Sequence, residues 1–515
     1  MDNDTTLEYG RSAVFSSVSV FYGKIIGFLL SLIYYILIIR VLTPSIYGIY
    51  TIVISFVGIF ASVNNFGLAT IANKYVSYYL SKKADKKITA IVTNTVAISL
   101  SITFILTFVT LIAASLVNSY YNNELTSIFV LVGGLGLFLN IINGTATGVF
   151  IALRKNRYVF IIPIFESFVR LIAVAILLYM IKLYVFGALL SLLISALLTD
   201  ILSFYYYHKE RLISIKSLSR EEIHFIIKEA SQIGVSNLFN DILYNLSSVI
   251  LGLFVSYYYV GLYGFSNRVV SLLGVFTASI SLSSLALINA FKDSKDYRSK
   301  AFRYSLRYSM LFMAPMLTFI AFNAYYLISL VFSKAYTGAA LYMEIIALSF
   351  IISLFASRYY ELAIALGRYK QILLMNIIVD IAVALVSIIA IMRYGTLGAV
   401  FIFYSFWYAL QLIALKLITR DESRLSRNDK ASLFKLLVIL VIFSLIFYYV
   451  SNLLSIRHSL RFLINIILLI TLYPIMVKAL RILNNIDKEI IYNIIDSIKN
   501  SSIRKLLKAY ANLMF

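Results

Sequence analysis

The sequence predicts an all-α integral membrane protein of about fourteen transmembrane helices, laid out as two pseudo-symmetric six-helix lobes in a parallel repeat, plus two C-terminal helices. Three observations lead there. Of 515 residues, 61% are hydrophobic and 13% charged, well above the roughly 45–50% apolar content of soluble domains. Windows of about 20 mainly apolar residues, the length that crosses a bilayer as helix, recur along nearly the whole chain. Basic residues gather in every second connection between these windows. The runs are too long and too uniformly apolar for barrel strands, and an open sheet edge cannot sit in hydrocarbon, so the spans are helices.

Taken in order, the first window, 12–39, is too long and too polar in its first half for a cleavable signal peptide and reads as a permanent span. Windows at 48–72, 88–116, 125–150, 158–180 and 184–207 follow and complete an N-terminal lobe, 1–207. Residues 208–227 form a cytoplasmic linker, in which Ser219-Arg220-Glu221-Glu222 has the cap and early acids of a helix start. The C-terminal lobe, 228–418, holds windows at 228–255, 260–289, 303–332, 339–365, 371–392 and 396–418. Two more, 432–452 and 460–480, make the appendix 432–480. In the tail, 481–515, Ile486, Ile490, Ile494 and Ile498 recur at helical spacing between polar residues. This is a cytoplasmic amphipathic helix, lying along the inner leaflet or standing as a plain helical tail.

The alternation of charge sets the topology. Even connections carry Lys82, Lys83, Lys86 and Lys87, then Arg154, Lys155 and Arg157, and the pattern continues to Arg420, Arg424, Arg427 and Lys430. Odd connections are nearly bare, with Arg40, Lys182, Lys334 and Arg393 standing singly and Arg457 with Arg461 in the last. The positive-inside rule then places both termini and every even connection in the cytoplasm, and the chain in the cell membrane. The same cations account for the formal charge of +22. They face anionic lipid, and nucleic acid is not an expected partner. There are no cysteines, and His208, His224 and His458 lie scattered in polar connections, so neither a metal site nor a cofactor is expected.

A weak internal repeat runs at an offset of 213 residues: Gly48 and Tyr50 recur as Gly261 and Tyr263, and Ile151-Ala152-Leu153 recurs as Ile364-Ala365-Leu366. Gly187-Ala188-Leu189 recurs as Gly398-Ala399-Val400, shifted by two. The offset spans an even number of helices, so both halves enter the membrane in the same sense, about an axis along its normal. Two such lobes suit alternating access.

An ionisable residue deep in a span costs about 2.5–3.5 kcal/mol on insertion scales and usually faces a cavity or a partner. Lys24 sits mid-span, where it either faces a cavity and helps hold an anionic head group or pairs with a carboxylate of a neighbouring helix. Arg268 stands a few residues into the eighth span, between a cavity position and snorkelling to the outer head groups. Glu166 and Arg170 are four apart on one helical face, which favours a pair within the helix, and Arg358 with Glu361 invites the same account. Asp241 and Asp380 are singletons that could pair with Lys24 or titrate during transport. Asn64 and Asn65, Asn140 and Asn143, and Asn237, Asn240 and Asn245 offer amides to sugar hydroxyls, though amides also join helices. Pro163, Pro315 and Pro474 fall inside spans and bend them. Paired tyrosines near span ends are interface anchors. No glycine-rich nucleotide loop is present and the cytoplasmic connections are short, so transport must be driven by a gradient, a potential or consumption of product.

The run Arg40-Val41-Leu42-Thr43-Pro44-Ser45-Ile46-Tyr47-Gly48 resembles the Arg-Leu-Leu-Gly-Pro-Glu-x-Tyr-Gly turn that ends the first helix of the polysaccharide-export flippases, keeping Arg40, Pro44, Tyr47 and Gly48. Those flippases belong to the group that also holds multidrug extruders and the flippase for the peptidoglycan lipid precursor. Asn65-Phe66-Gly67-Leu68 resembles their Asp-Phe-Gly-Leu with asparagine for aspartate, Val260-Gly261-Leu262-Tyr263 resembles the second-half turn, and Ala365-Leu366-Gly367-Arg368-Tyr369-Lys370 resembles their Ala-Leu-Gly-Arg-x-Lys. The resemblance covers almost the whole chain. It implies a non-enzymatic flippase carrying a polyprenyl-phosphate- or pyrophosphate-linked glycan from inner to outer leaflet, for surface polysaccharide or protein glycosylation. Membrane lipids, and glycosyltransferases or a polymerase of the same pathway, would be its partners. Phosphate and sugars would pass between the lobes past Lys24 and Arg268. The main alternative is an organic-cation extruder of the same fold group, which should present cavity carboxylates and usually lacks the last two spans. A membrane glycan polymerase would need a large outer loop, and every outer connection here is short; a structural scaffold would not explain Lys24.

Overall fold

The computed structural model describes residues 26–62, 67–121, 124–153, 155–214, 219–274, 276–277, 295–453, 458–483, 485–496 and 501–515, and all of its extended regular structure is helical. The helices are α1 (Ile26–Val41), α2 (Pro44–Ala61), α3 (Leu68–Ser81), α4 (Asp85–Tyr121), α5 (Glu124–Ala152), α6 (Asn156–Ala175), α7 (Tyr184–Lys209), α8 (Arg220–Phe254) and α9 (Tyr257–Ser271). After these come α10 (Lys295–Phe322), α11 (Ala340–Ala365), α12 (Tyr369–Phe401), α13 (Trp407–Ile418), α14 (Arg427–Leu453), α15 (His458–Ala479), α16 (Asn485–Asp496) and α17 (Ser501–Met514). Among the described residues nine helical stretches are long and apolar enough to cross a membrane. The longest, Tyr369–Ile418, is interrupted at Gly395, whose φ of +61° and ψ of −149° end one helix and start the next. Lipid-facing stripes are legible in the exposure pattern: Ile378, Ile381, Leu385 and Ile389 of α12 are each more than half exposed at helical spacing. In water such a face would be a liability, and in hydrocarbon it costs nothing.

Local chemistry explains the helix ends. Thr43 caps α2 in extended conformation, its hydroxyl accepting the Ile46 amide at 3.5 Å, and Pro44 occupies the first helical position. The single span expected over 48–72 is described as two helices, α2 ending at Ala61 and α3 starting at Leu68, with Gly67 in a left-handed conformation (φ +82°) at the N-cap of α3. The linker is shorter than expected: α8 starts at Arg220 and continues unbroken to Phe254. Ser219 does not cap it with its side chain; instead its amide donates to Asn94 Oδ1 at 3.0 Å. The ninth window, 303–332, ends as α-helix at Phe322 and finishes in a short helix and a turn of π-helix, Ile328–Phe332.

Several of these ends repeat at the 213-residue offset. Helices α5 and α11 stop at Ala152 and Ala365. Each closes with the same pair of bonds, Leu153 to Val149 and Lys155 to Phe150 in one, Leu366 to Leu362 and Arg368 to Ala363 in the other. The shifted echo recurs as well: Gly187 packs against Leu177 and Leu183, and Gly398 against Ala390 and Tyr394.

Contacts divide the chain into two compact units. The first comprises Met1–Phe265 with Tyr369–Phe403. Its core joins Ile71, Ala72 and Val76 of α3, Ile91 and Val92 of α4, Val149 and Phe150 of α5, Tyr207 of α7 and Ile226 of α8. The second comprises Ser266–Arg368 with Tyr404–Phe515. There α11 packs on α10 and α13, and α14 on α10. The tail forms α16 and α17; α17 packs on α15 and buries Ala511 and Met514. Asp487, fully buried at the start of α16, pairs with Arg307 and accepts the Tyr308 hydroxyl at 2.7 Å.

Candidate functional site

A polar arrangement within the apolar helices of the first unit joins α5, α6 and α7. Pro163 lies inside α6, and one turn beyond it Glu166 and Arg170 form an ion pair along the helix. Both side chains are largely enclosed, at 17% and 19% exposure. Asn143 of α5 donates its amide to the second Glu166 oxygen at 2.8 Å. The Arg170 Nε reaches Ser195 Oγ of α7 at 3.4 Å, and its guanidinium lies 5.9 Å from the Tyr34 ring centre in α1. The Tyr34 hydroxyl lies 3.4 Å from Ser191 Oγ. A planar cation that bonds edge-on and stacks face-on is the residue type suited to such a position.

Asp200, on α7, completes the group. It is 5% exposed; one carboxylate oxygen accepts the Asn143 backbone amide at 3.1 Å, and the other has no hydrogen-bond partner among the described residues. The side-chain oxygen of Asn143 also lacks one. Sequence reading singled out Glu166 and Arg170 and missed Asp200, which sits in the apolar run of α7, more than two turns before its end at Lys209. Its signal was simply an acid inside a window, the criterion applied to Asp241 and Asp380. Glu166 is neutralised by its own helix, whereas Asp200 has its charge countered only by an amide dipole. A buried carboxylate in that position is stable as the protonated acid or with a small cation beside it. Among the described residues no three acidic, histidine or cysteine side chains gather as a metal site.

The other candidates are distributed. Asp241 is half-buried on α8, and Asp380, 6% exposed, lies on α12 one turn from the fully buried Asn376; α12 packs on α8. Arg268 is half-buried near the end of α9. Arg358 and Glu361 pair at 2.9 Å in α11, in the second unit. Asn237 and Asn240 fall on α8, whose described side chains do not include them. Lys24, Asn64 and Asn65 lie outside the described residues. Of the turn motif, Arg40 is exposed at the end of α1, Tyr47 and Tyr263 are buried, and the Tyr263 hydroxyl lies 2.7 Å from Ser247 Oγ.

Comparison with known proteins gives these observations a family. Residues 15–288 match the profile described as polysaccharide biosynthesis protein. No curated protein sequence matches. Among solved structures, the fold is similar to that of a multidrug resistance MATE family transporter of the MOP superfamily in an inward-facing conformation. The TM-score is 0.64 at 14% identity, covering 79% of this chain and 97% of the other. A MOP superfamily transporter from Pyrococcus furiosus Vc1 gives a TM-score of 0.61 at 16% identity, over 80% of this chain and 94% of that one. The lipid II flippase MurJ in an inward closed conformation gives 0.67 at 16% identity, over 90% of this chain and 98% of that one. A profile match across more than half of the sequence makes this chain a member of the polysaccharide biosynthesis protein family, on a fold similar to that of these transporters.

Proposed function

We propose that the protein translocates a polyprenyl-phosphate- or pyrophosphate-linked oligosaccharide or polysaccharide repeat unit from the inner to the outer leaflet by alternating access. The observation that carries the reading is the family match over 15–288. The reach of the fold likeness supports it: the lipid II flippase covers 90% of the chain, the multidrug transporters 79%. The difference, roughly a tenth of the chain, is about the size of two further spans of some 20 residues each. The geometry recurring at the 213-residue offset supports two related lobes, 1–207 and 228–418, with helices at 432–480 beside them and both termini in the cytoplasm.

In this reading Lys24 and Arg268 attract the phosphate, and Asn64, Asn65, Asn237 and Asn240 meet sugar hydroxyls. The uncompensated carboxylate of Asp200, with Glu166 and Arg170 holding the helices around it, takes up a proton or small cation as the transporter cycles; Asp241 and Asp380 are further coupling candidates. Pathway glycosyltransferases or a polymerase would supply and consume the lipid-linked glycan.

Efflux of organic cations is the second reading, favoured by the likeness to multidrug transporters. One assay separates them. Purified protein in liposomes is given a fluorescent polyprenyl-linked oligosaccharide, and an impermeant glycosidase reports how fast protected glycan becomes accessible. Acceleration over empty vesicles, lost in Lys24→Gln while the variant stays folded, is the expected result. No acceleration under both an ion gradient and a membrane potential, with uptake of a cationic dye instead, would favour efflux.

A further inference from the structure

The two copies of the repeated turn touch each other, and they do so reciprocally. Gly48 of α2 lies so close to the start of α9 that a β-carbon built on it would fall 1.9 Å from the Tyr257 carbonyl oxygen. A β-carbon on Gly261 would fall 1.9 Å from the Pro44 carbonyl oxygen and 3.0 Å from the Gly48 nitrogen. Gly261 is the repeat equivalent of Gly48 at the 213-residue offset, and Tyr257 that of Pro44. Each copy therefore offers the same two positions to the other, the arrangement of an isologous contact about a two-fold axis. A third contact places the axis: a β-carbon on Gly264 would meet Thr51 Oγ1 at 2.4 Å, and these two positions are each other's equivalents. Only residues beside the axis can touch their own counterparts.

The charge pattern puts this contact at the outer end of the helices. Toward the cytoplasmic end, α8 is held to α3 and α4 by different means. Glu229 accepts from Lys74 at 3.0 Å and from the Tyr75 hydroxyl at 2.7 Å, and Lys87 meets Glu222 at 2.8 Å. Both lysines are more than half exposed, so these pairs are easily exchanged for water. The outer contact is backbone on backbone, with no side chains interlocked at the two glycines.

Resting on the flippase reading, we propose that the reciprocal contact of Gly48 with Gly261 is the outer gate, where the two repeats part to release the glycan. An axis along the membrane normal runs between the lobes, so lobes that open outward must separate here. Glycine suits both states. Closed, the bare backbones leave no gap for a head group; at the two glycines themselves, opening breaks van der Waals and weak Cα–H···O contacts. The same small-residue packing also cements membrane helices permanently, and experiment separates the two roles.

The chain has no cysteine, so thiols can be introduced one or two at a time. In proteoliposomes, Thr51→Cys is treated with an impermeant maleimide from the outer face. Slow labelling is expected, accelerating at least tenfold when Gly48→Ala is added, because the new methyl can be seated only by parting the backbones. Unchanged labelling in folded protein overturns the proposal. In Thr51→Cys/Gly264→Cys, an oxidised pair is expected to lower glycan flipping at least tenfold, with recovery on reduction; flipping at the reduced rate while the disulfide is intact overturns it. Labelling reports opening whether or not glycan moves. If the protein proves not to flip glycan while the thiol introduced by Thr51→Cys, with Gly48 and Gly261 intact, still labels from the outer face, the transport reading fails and the gate stands.

Discussion

Asp487 offers the sharpest energetic test of how the C-terminal tail is held. Its side chain is 0% exposed and Arg307 is 10% exposed, so the pair is removed from water on both sides. Asp487 stands in the first turn of α16, where the helix dipole favours an anion, and also accepts from Tyr308. Replacing it with alanine strands the Arg307 guanidinium, whose Nε already lacks a partner, with only the Tyr304 and Tyr308 rings, 5.1 and 5.6 Å away, to offset the loss. Breaking a buried pair from one side costs about 3–5 kcal/mol, and each 1.4 kcal/mol is roughly tenfold in an equilibrium. The undocked tail should therefore be populated roughly 100-fold to several thousand-fold more. Ala511, 4% exposed on α17, provides the reporter. In an Ala511→Cys background, Asp487→Ala should raise the thiol labelling rate by about that factor, up to the ceiling set by a free thiol. The double variant Arg307→Met/Asp487→Leu should recover most of the protection, since an apolar pair of similar bulk removes the stranded charge. Equal labelling in Asp487→Ala and its parent would refute the view that this pair docks the tail.

Further outcomes follow from the same geometry. Asp200→Asn keeps the acceptor for the Asn143 amide and removes a buried charge, so thermal stability should hold or rise; Asp200→Ala should lose about 1–3 kcal/mol, and the reverse order in a melting experiment would contradict the assignment. Any dependence of flipping on a proton or cation gradient should vanish in Asp200→Asn. Arg170→Gln strands Glu166 at membrane depth and should cost about 3–5 kcal/mol, whereas Glu166→Gln/Arg170→Gln should restore most of it; chemical denaturation of the three proteins checks this. The Tyr75 and Lys74 side chains hold the Glu229 carboxyl below its usual range, and Lys155 and Tyr158 do the same to Glu210. A depressed acid contributes stability above its unfolded value, about 4.3, and loses that contribution as pH falls through the lower folded value. Hydrogen exchange at 219–230 should therefore quicken below about pH 4, and Glu229→Gln should already show quickened exchange at pH 7.

Much of the fold was legible because the bilayer imposes one rule on every segment: backbone polar groups must be satisfied within a helix of membrane length. Apolar windows located the helices, and the start of α2 was readable from Thr43 and Pro44, whose preferences are local. The matching positions Gly48 and Gly261 were readable too, and at both only a hydrogen fits against a neighbouring backbone. Sequence did not show that α3 starts at Leu68, where Gly67 stands at its N-cap in a left-handed conformation (φ +82°).

The candidate site was half legible. Glu166 and Arg170 could be paired from their spacing alone, because four residues on a helix is a fixed distance. That Asp200 of α7 meets Asn143 of α5, and that Asn143 bridges it to Glu166, depends on the rotation and depth of three helices packed together. The same holds for Asp487 finding Arg307 across 180 residues. The sequence by itself determined that the chain is built from apolar helices of membrane length and which family it belongs to, since hydropathy and turn motifs are properties of short stretches. Tertiary structure decided which buried charges are answered and which are left, because a partner supplied by another helix has no fixed separation along the chain.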